Sequence, residues 1–135
     1  MKILIMGLPS SGKTTLAKEL YKILPDCDWF NADKVRKQFN NWDFSNDGRI
    51  KQANKMAELA NNSNKEFIIC DFVAPTDEIR SLFDADFIVW LNTVNKSSYE
   101  DTNKIFINPL NYNFMIEEKD ANKWAKIIKE KLCKH

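Results

Sequence analysis

The chain contains almost no histidine. Its single histidine among 135 residues is His135, the last residue of the sequence. Histidine is the side chain that most often serves as a general base near neutral pH and as a metal ligand. We therefore exclude a histidine base and a histidine metal site as the source of this protein's chemistry.

Cysteine and long apolar runs are also scarce. The three cysteines, Cys27, Cys70 and Cys133, are far apart and form no CxxC pair. We interpret them as reduced, mostly buried thiols of a cytosolic protein. No apolar run approaches the length of a membrane-spanning helix, and the N-terminus has the pattern of a strand rather than of a signal peptide. We expect a cytoplasmic protein without a membrane partner.

An excess of charge of one sign is missing as well. The chain has 20 basic and 19 acidic residues, a net charge of +1. This balance does not indicate a general polyanion-binding surface. A length of 135 residues predicts one domain over residues 1–135, with one core and little room for a separate lid. A monomer and a homodimer are both compatible with the composition.

What is present is a phosphate-binding motif at the start of the chain. Residues 7–14 read GLPSSGKT, which fits the pattern G-x-x-x-x-G-K-[ST]. Backbone N–H groups of such a loop point into one concavity, and the next helix adds its positive N-terminal end. We predict ATP and Mg²⁺ as cofactors, with Lys13 on the β- and γ-phosphates and the Thr14 hydroxyl on the metal. The predicted ATP-binding residues are Gly7, Leu8, Pro9, Ser10, Ser11, Gly12, Lys13, Thr14 and Thr15.

The pattern around the motif predicts an α/β fold. An apolar strand precedes the loop and a helix with apolar residues on one face follows it, which is the order that phosphate binding needs. A glycine-rich turn that binds nothing is the alternative. Strands and helices then alternate, so we predict a P-loop NTPase-type three-layer sandwich with a mainly parallel five-stranded sheet. The predicted strands are 3–6, 28–30, 66–71, 87–91 and 112–116, and the predicted helices are 14–24, 33–39, 47–60, 76–83 and 120–132.

Polar residues follow the predicted strands, where ligands of such sheets bind. Asp33 and Arg36 follow the second strand, and Asp71 ends the third. Asp33 is our candidate for orienting or deprotonating an acceptor hydroxyl in phosphoryl transfer. Arg36 comes one helical turn later, so both side chains can face one cleft. The alternative is that Asp33 only caps a helix.

Arginine is rare, with only Arg36, Arg49 and Arg80 among the 20 basic residues. Arginine binds phosphate and sulfate in a bidentate manner that lysine does not reproduce. Each of the three lies near a strand end that is predicted to face the cleft. The alternative is that they occupy surface positions without a role.

These residues resemble a known family, the adenylyl-sulfate kinases, which are P-loop enzymes that transfer the γ-phosphate of ATP to the 3′-hydroxyl of adenosine 5′-phosphosulfate. The family element D-G-D-N-x-R is matched by NADKVR at residues 31–36. The element G-F-S-x-x-D-R-x-E-N is matched by DFSNDGRIKQ at 43–52, and S-F-I-S-P-Y-R by DFVAPTD at 71–77. The resemblance covers roughly residues 1–91.

The resemblance implies roles for individual residues and a place in sulfate assimilation. It implies that Asp33 serves the attacking hydroxyl and that Arg36 and Arg49 bind the phosphosulfate. Phe44 and Phe72 would hold the substrate adenine, with core packing as the alternative for both. The implied substrate site also includes Gln52, where the family has asparagine, and Arg80, which falls near a basic position of the family.

After the fourth strand the chain departs from the family, whose members insert a long basic lid there. Residues 92–111 read NTVNKSSYEDTNKIFINPLN and contain no arginine. A lid excludes water and supplies cations to the transferring phosphoryl group. Lys96, Lys104 and Arg80 are the candidate substitutes for those cations. Residues 99–103 form either a shortened closing loop or a plain connection.

Other acceptors and other classes of function stay open on the sequence. Residues 31–36 also resemble the N-R-D-D-x-R element of polynucleotide 5′-hydroxyl kinases. The near-neutral charge argues against a basic track for a nucleic-acid strand, so we favour a small nucleotide substrate over a nucleic-acid end. A nucleoside kinase and a P-loop nucleotide-binding module that is not a kinase are the remaining alternatives.

Overall fold

The computed structural model describes residues 1–133 and contains, within that range, five strands and six helices. The strands are β1 (Lys2–Gly7), β2 (Cys27–Asn31), β3 (Phe67–Asp71), β4 (Phe87–Leu91) and β5 (Phe114–Ile116). The helices are α1 (Lys13–Ile23), α2 (Ala32–Phe39), α3 (Asn46–Asn61), α4 (Asp77–Phe83), α5 (Glu100–Ile105) and α6 (Ala121–Cys133). His135 lies outside the described residues.

The five strands form one parallel sheet in the order β2-β3-β1-β4-β5. β1 is central, with Ile3 opposite Ile69 of β3 on one side and opposite Phe87 of β4 on the other. Because the strands run in the same direction, their carboxyl ends meet at one edge of the sheet. The predicted α/β fold with a parallel five-stranded sheet is confirmed.

The alternation of side chains along β1 divides the core into two layers. Ile3 and Ile5 point to the face that α1 and α6 cover, whereas Leu4 and Met6 point to the face that α3 and α4 cover. All four side chains are fully buried. A strand buried on both faces is apolar along its whole length, which explains the continuous apolar run that opens the sequence.

Polar side chains define where three of the helices begin. Asn31 accepts a hydrogen bond from the Lys34 N–H and so caps α2. Ser45 and Thr76 cap α3 and α4 in the same way. These bonds satisfy N–H groups that the first turn of a helix leaves unpaired. The alternative interpretation of Asp33 as the cap of α2 is therefore wrong, because Asn31 occupies that position.

The segment after β4, for which a shortened closing loop and a plain connection were the two alternatives, contains a helix that neither of them included. It contains the short helix α5, whose N-cap residue Tyr99 makes no side-chain cap bond. Asn103 instead exchanges hydrogen bonds with Ser97, accepting from its N–H and hydroxyl and donating to its carbonyl. The residues of α5 lack the apolar periodicity from which a helix is normally predicted. Polar hydrogen bonds of this kind are not visible in such a pattern.

The cysteines differ in their burial. All three are free thiols. Cys70 is buried in the core, Cys27 is half-buried and Cys133 is exposed. The expectation of mostly buried thiols is correct for Cys70 and wrong for Cys133, which is exposed at the end of α6.

Candidate active site

A large cleft opens at the carboxyl ends of the strands, and its volume is about 1450 Å³. β1 is the central strand. The strands β2 and β3 lie on one side of it, and β4 and β5 lie on the other. Such a switch point is where open parallel sheets bind ligands. Typical pockets for one small ligand measure about 300–1,000 Å³. The cleft therefore has room for a nucleotide and a second small molecule.

The loop between β1 and α1 is curled by residues with positive φ. Gly7 has φ 156° and Gly12 has φ 100°, and Ser10 lies between them at φ 68°. A Cβ on Gly7 would come within 2.7 Å of the Leu91 carbonyl oxygen and 2.8 Å of the Ser11 hydroxyl. Only glycine fits at this position. The curled loop leads into the N-terminus of α1, which gives it the form of an anion-binding site.

Lys13, the first residue of α1, is held against the loop. Its Nζ donates a hydrogen bond of 2.9 Å to the Leu8 carbonyl. Burial lowers the pKa of Lys13 to about 8, although the negative charges of Asp71 and Asp33 act in the opposite direction. An ammonium group with so little hydration gains strongly from an anionic ligand placed beside it.

A cluster of polar side chains lies next to the loop, at the paired ends of β2 and β3. The Thr14 hydroxyl and the Asn31 amide each donate a hydrogen bond of 3.0 Å to Asp71 Oδ2. The Trp29 indole N–H donates to the other oxygen, Oδ1, at 2.7 Å. Burial raises the pKa of the Asp71 carboxyl, and these three donors oppose that effect. We call Thr14, Trp29, Asn31 and Asp71 the carboxylate cluster.

Asp33 and Arg36 both line the cleft from α2. Asp33 is exposed, whereas only 6% of the Arg36 surface is accessible. Arg36 donates to the carbonyls of Asn41 and Asp43 at 2.8 and 3.2 Å. Burial and the like charge of Arg49 lower the pKa of Arg36, while Asp33 and Asp43 raise it. The guanidinium is thus fixed in place and still electrostatically linked to Asp33.

Phe44 forms a stack with two arginines in the same part of the cleft. Its ring is 52% exposed and lies 4.3 Å from the Arg36 guanidinium and 5.7 Å from that of Arg49. Arg49 donates to the Phe44 carbonyl at 2.9 Å and to the Thr102 hydroxyl of α5 at 3.0 Å. Burial lowers the pKa of Arg49, which Asp101 of α5 opposes. An exposed ring beside two fixed cations suits a planar anionic ligand.

Gln52 and Phe72 complete this end of the cleft. Gln52 donates to the Ala32 carbonyl at 3.2 Å, which joins α3 to the start of α2. Phe72 lines the cleft and is also part of the core, where its ring packs edge-on against Phe83 at 5.4 Å. Phe72 therefore packs in the core, as the alternative interpretation held, and also lines the cleft.

The comparison with protein families gives a single result over most of the chain. The adenylylsulphate kinase family model matches residues 1–99. The chain belongs to this family. No curated protein matches the chain significantly in its sequence.

Solved structures of kinases have the same fold as this adenylylsulphate kinase family member. The APS kinase of Mycobacterium tuberculosis, in complex with AMPPNP and APS, has a TM-score of 0.81 at 16% identity and covers 97% of this chain and 96% of its own. The shikimate kinase of Acinetobacter baumannii, in complex with shikimate, has a TM-score of 0.67 at 18% identity, covering 97% and 92%. That of Aquifex aeolicus has a TM-score of 0.69 at 16% identity, covering 98% and 96%. The P-loop kinase fold is thereby established.

The structure places most of the predicted site residues of this family member in the one cleft. Those that line it are Pro9, Ser10, Ser11, Gly12, Lys13, Thr14, Thr15, Asp33, Arg36, Phe44, Arg49, Gln52 and Phe72. Gly7 and Leu8, the first two residues of the motif, are buried and do not line the cleft. Five of these residues come from the matched elements on α2, α3 and the loop between them, and seven come from the loop and the first turn of α1.

Among the predicted substrate-binding residues, Arg80 is the one outside the cleft lining, and its assignment to the substrate site needs correction. Its guanidinium does not line the cleft. It donates to the Ala74 carbonyl at 2.8 Å, to Asp77 at 3.1 Å and to the Ile107 carbonyl. Ala74 is buried with φ 47°, an unfavourable conformation for alanine, and the Arg80 bond stabilises it. Arg80 therefore ties the turn after β3 to the segment after α5.

The candidate lid cations lie elsewhere too, and the cleft contains a lysine that the sequence did not single out. Lys96 and Lys104 are exposed residues outside the cleft lining. Lys119, from the loop between β5 and α6, does line it, and its Cγ lies 3.8 Å from where a Cβ on Gly12 would be. Lys119 follows the carboxyl end of β5, and this position is the feature of the sequence that could have identified it as a residue of the cleft.

Two further findings concern the part of the chain that the structure describes. No helix between residues 1 and 133 is both long and apolar enough to cross a membrane. In the same range, no three histidine, cysteine, aspartate or glutamate side chains come together as a metal-binding group. Magnesium that arrives with a nucleotide needs no such group, because it is bound through one or two carboxylates together with substrate phosphates.

Proposed function

We propose that this chain is an ATP-dependent kinase that transfers the γ-phosphate of ATP to the 3′-hydroxyl of adenosine 5′-phosphosulfate. The observation that carries the proposal is the shared cleft, which has the phosphate loop at one end and Asp33, Arg36, Arg49 and Phe44 at the other. The family match over residues 1–99 supports this acceptor. We also infer that residues 1–135 make up one kinase domain, because both core layers pack on a single sheet.

The loop after β1 and the residues next to it bind the triphosphate of ATP in this proposal. The loop N–H groups and Lys13 bind the phosphates, and Lys13 exchanges its bond to the Leu8 carbonyl for one to a phosphate oxygen. Thr14 and Asp71, which are 3.0 Å apart, are an oxygen pair of the kind that holds Mg²⁺ in P-loop proteins. The bound ion neutralises charge on the β- and γ-phosphates.

The other end of the cleft, the acceptor end, binds the second substrate in this proposal. Arg36 and Arg49 bind its phosphosulfate, and Phe44 and Phe72 contact its adenine, with Gln52 holding α3 against α2. Asp33 orients the attacking hydroxyl and accepts its proton. Its charge raises the pKa of both Lys13 and Arg36 against the effect of burial, so its carboxylate lies close enough to influence both ends.

The proposal is tested with ATP labelled in the γ-phosphate and a panel of acceptors. We expect transfer to adenosine 5′-phosphosulfate and none to shikimate, nucleosides or an oligonucleotide 5′-hydroxyl. Lys13→Ala should abolish transfer, since its ammonium contacts the transferred group. Transfer to another member of the panel, or binding of ATP without any transfer, would contradict the proposed acceptor or the proposed reaction.

A further inference from the structure

The Asp71 carboxylate is almost fully buried, with only 2% of the residue accessible. A buried carboxylate needs donors on both of its oxygens. Oδ2 accepts from Thr14 and Asn31, whereas the hydrogen bond that Oδ1 accepts from the described residues is that of the Trp29 indole. At 2.7 Å this is the shortest bond of the carboxylate cluster.

The donors of Oδ2 are able to rearrange, whereas the donor of Oδ1 is not. The Thr14 hydroxyl rotates, and the Asn31 amide already divides its donors between Thr14 and Asp71 at 3.1 and 3.0 Å. An indole N–H has no lone pair and can only donate. Trp29 is therefore the one donor of this carboxylate that keeps the same role when a cation binds to Thr14 and Oδ2.

The Trp29 ring is itself held in place from two sides. The Tyr21 ring of α1 packs against it at 6.0 Å, and Lys34 Nζ of α2 lies over its face at 5.6 Å. Its backbone pairs with Ile69 in the β2–β3 ladder, two residues before the pair Asn31 and Asp71. The direction of the N–H is thus set by the sheet and by both neighbouring helices.

We propose that Trp29 is a positioning residue for magnesium: its indole N–H fixes the Asp71 carboxylate so that Oδ2 and the Thr14 oxygen present a ready pair to the metal of Mg·ATP. This inference rests on the proposed function only in that the cleft binds Mg·ATP. Trp29 lies outside the phosphate-binding motif and outside the family elements that assigned the other site residues. It acts on the metal through Asp71.

The test compares Trp29→Phe with the unchanged protein by calorimetric titration of ATP, once with Mg²⁺ and once with EDTA. Loss of a partner that orients a metal ligand typically weakens metal binding about 10- to 100-fold. We expect the affinity gained from Mg²⁺ to fall by about tenfold or more, while the affinity for metal-free ATP is unchanged. Trp90→Phe is the matched control, because Trp90 is a buried indole that contacts Tyr112 and not the cleft.

Each outcome of the titration is informative. An unchanged effect of Mg²⁺ in Trp29→Phe would overturn the proposal, and so would an equal loss with and without the metal, which would indicate a merely structural role. If the wild-type protein binds Mg·ATP but phosphorylates no acceptor, the proposed function is wrong. The role of Trp29 is then decided by the titration alone.

A second measurement applies if Trp29→Phe does not fold. The wild-type protein labelled with ¹⁵N has four indole N–H groups, one for each of its 4 tryptophans. Adding Mg²⁺ to the ATP complex should shift the Trp29 indole signal more than those of the others, since its acceptor gains a cation. A Trp29 signal that does not respond to Mg²⁺ would overturn the proposal.

Discussion

At the scale of single residues, Asp33 stands out because nothing in the fold requires it. Asn31 caps α2, so the Asp33 carboxylate has no part in starting the helix. It is exposed in the cleft and forms no hydrogen bond with the described residues, yet its charge acts on the pKa of Lys13 and of Arg36. A carboxylate in the cleft that has no hydrogen-bond partner among the described residues is available to accept a proton from a substrate.

We therefore predict that Asp33→Asn separates catalysis from folding. The amide keeps the shape of the side chain but removes the proton acceptor, so kcat should fall by about 10²- to 10⁴-fold. The melting temperature and the affinity for ATP should stay unchanged, as measured by thermal denaturation and titration. Asp47→Asn is the control, because Asp47 is an acid in the first turn of α3 outside the cleft. A kcat within a factor of two of wild type would remove Asp33 from the mechanism.

The three arginines show what a sequence conveys about a site and what it omits. Their rarity drew attention to all of them, and Arg36 and Arg49 do line the cleft. Arg80 is as buried as they are, but all three of its guanidinium nitrogens donate hydrogen bonds, to the Ala74 and Ile107 carbonyls and to Asp77. Backbone carbonyls carry no signature in the sequence. Which carbonyl faces an arginine depends on the turn after β3 and on the segment after α5, and thus on tertiary structure.

At the scale of elements, two arginines connect the segment between β4 and β5 to the part of the cleft that is proposed to bind the acceptor. Arg49 bonds to Thr102 on α5, and Asp101 of the same helix raises the pKa of Arg49 against the effect of burial. Arg80 bonds to the Ile107 carbonyl, and the Ile107 N–H donates to the Pro75 carbonyl at 2.8 Å. The segment thus supports the arginine that is proposed to bind the substrate anion.

We predict that Thr102→Val loosens this support and affects one substrate only. Valine keeps the volume of threonine but removes the oxygen that accepts from Arg49. The loss of such a bond costs roughly 1 kcal/mol, equivalent to a KM for the acceptor that is about fivefold higher. The KM for ATP should be unchanged, because no hydrogen bond among the described residues joins the loop after β1 to α5. Lys104→Ala, on the exposed side of α5, serves as the control. Equal changes in both KM values would contradict a role of α5 at the acceptor end alone.

The elements that the sequence predicted well are those with a repeating apolar pattern. β1, β3 and β4 are continuous apolar runs because the sheet is covered on both faces, and α1 and α6 carry a one-sided apolar stripe. α5 has no such pattern. Its buried residue is Thr102, a polar side chain whose burial is explained by Arg49 of α3. Contacts of this kind join distant parts of the chain and are not visible in local periodicity.

At the scale of the whole molecule, the proposed phosphate site is built at a cost to stability. The fold buries an ammonium and a carboxylate near each other, and burial shifts the pKa of Lys13 down and that of Asp71 up, each toward its neutral form. The sequence identified the loop from its motif, but a motif conveys nothing about the hydration that its lysine loses. Groups kept for ligand binding often reduce the stability of the ligand-free protein.

We predict that Lys13→Met stabilises the ligand-free protein while it removes binding of ATP. The pKa of Lys13 is about 8 in the folded protein against an ordinary value of 10.5, so folding disfavours its charged form. Below pH 8 both states carry the charge and the penalty is complete, whereas between pH 8 and 10.5 the folded state releases the proton first and the penalty disappears. Thermal denaturation should show a melting temperature above that of wild type at pH 7, with a difference that shrinks towards pH 10. Lys18→Met, an exposed lysine on the same helix, should show no such trend. A variant less stable than wild type at pH 7 would mean that the bond from Lys13 to Leu8 outweighs the lost hydration.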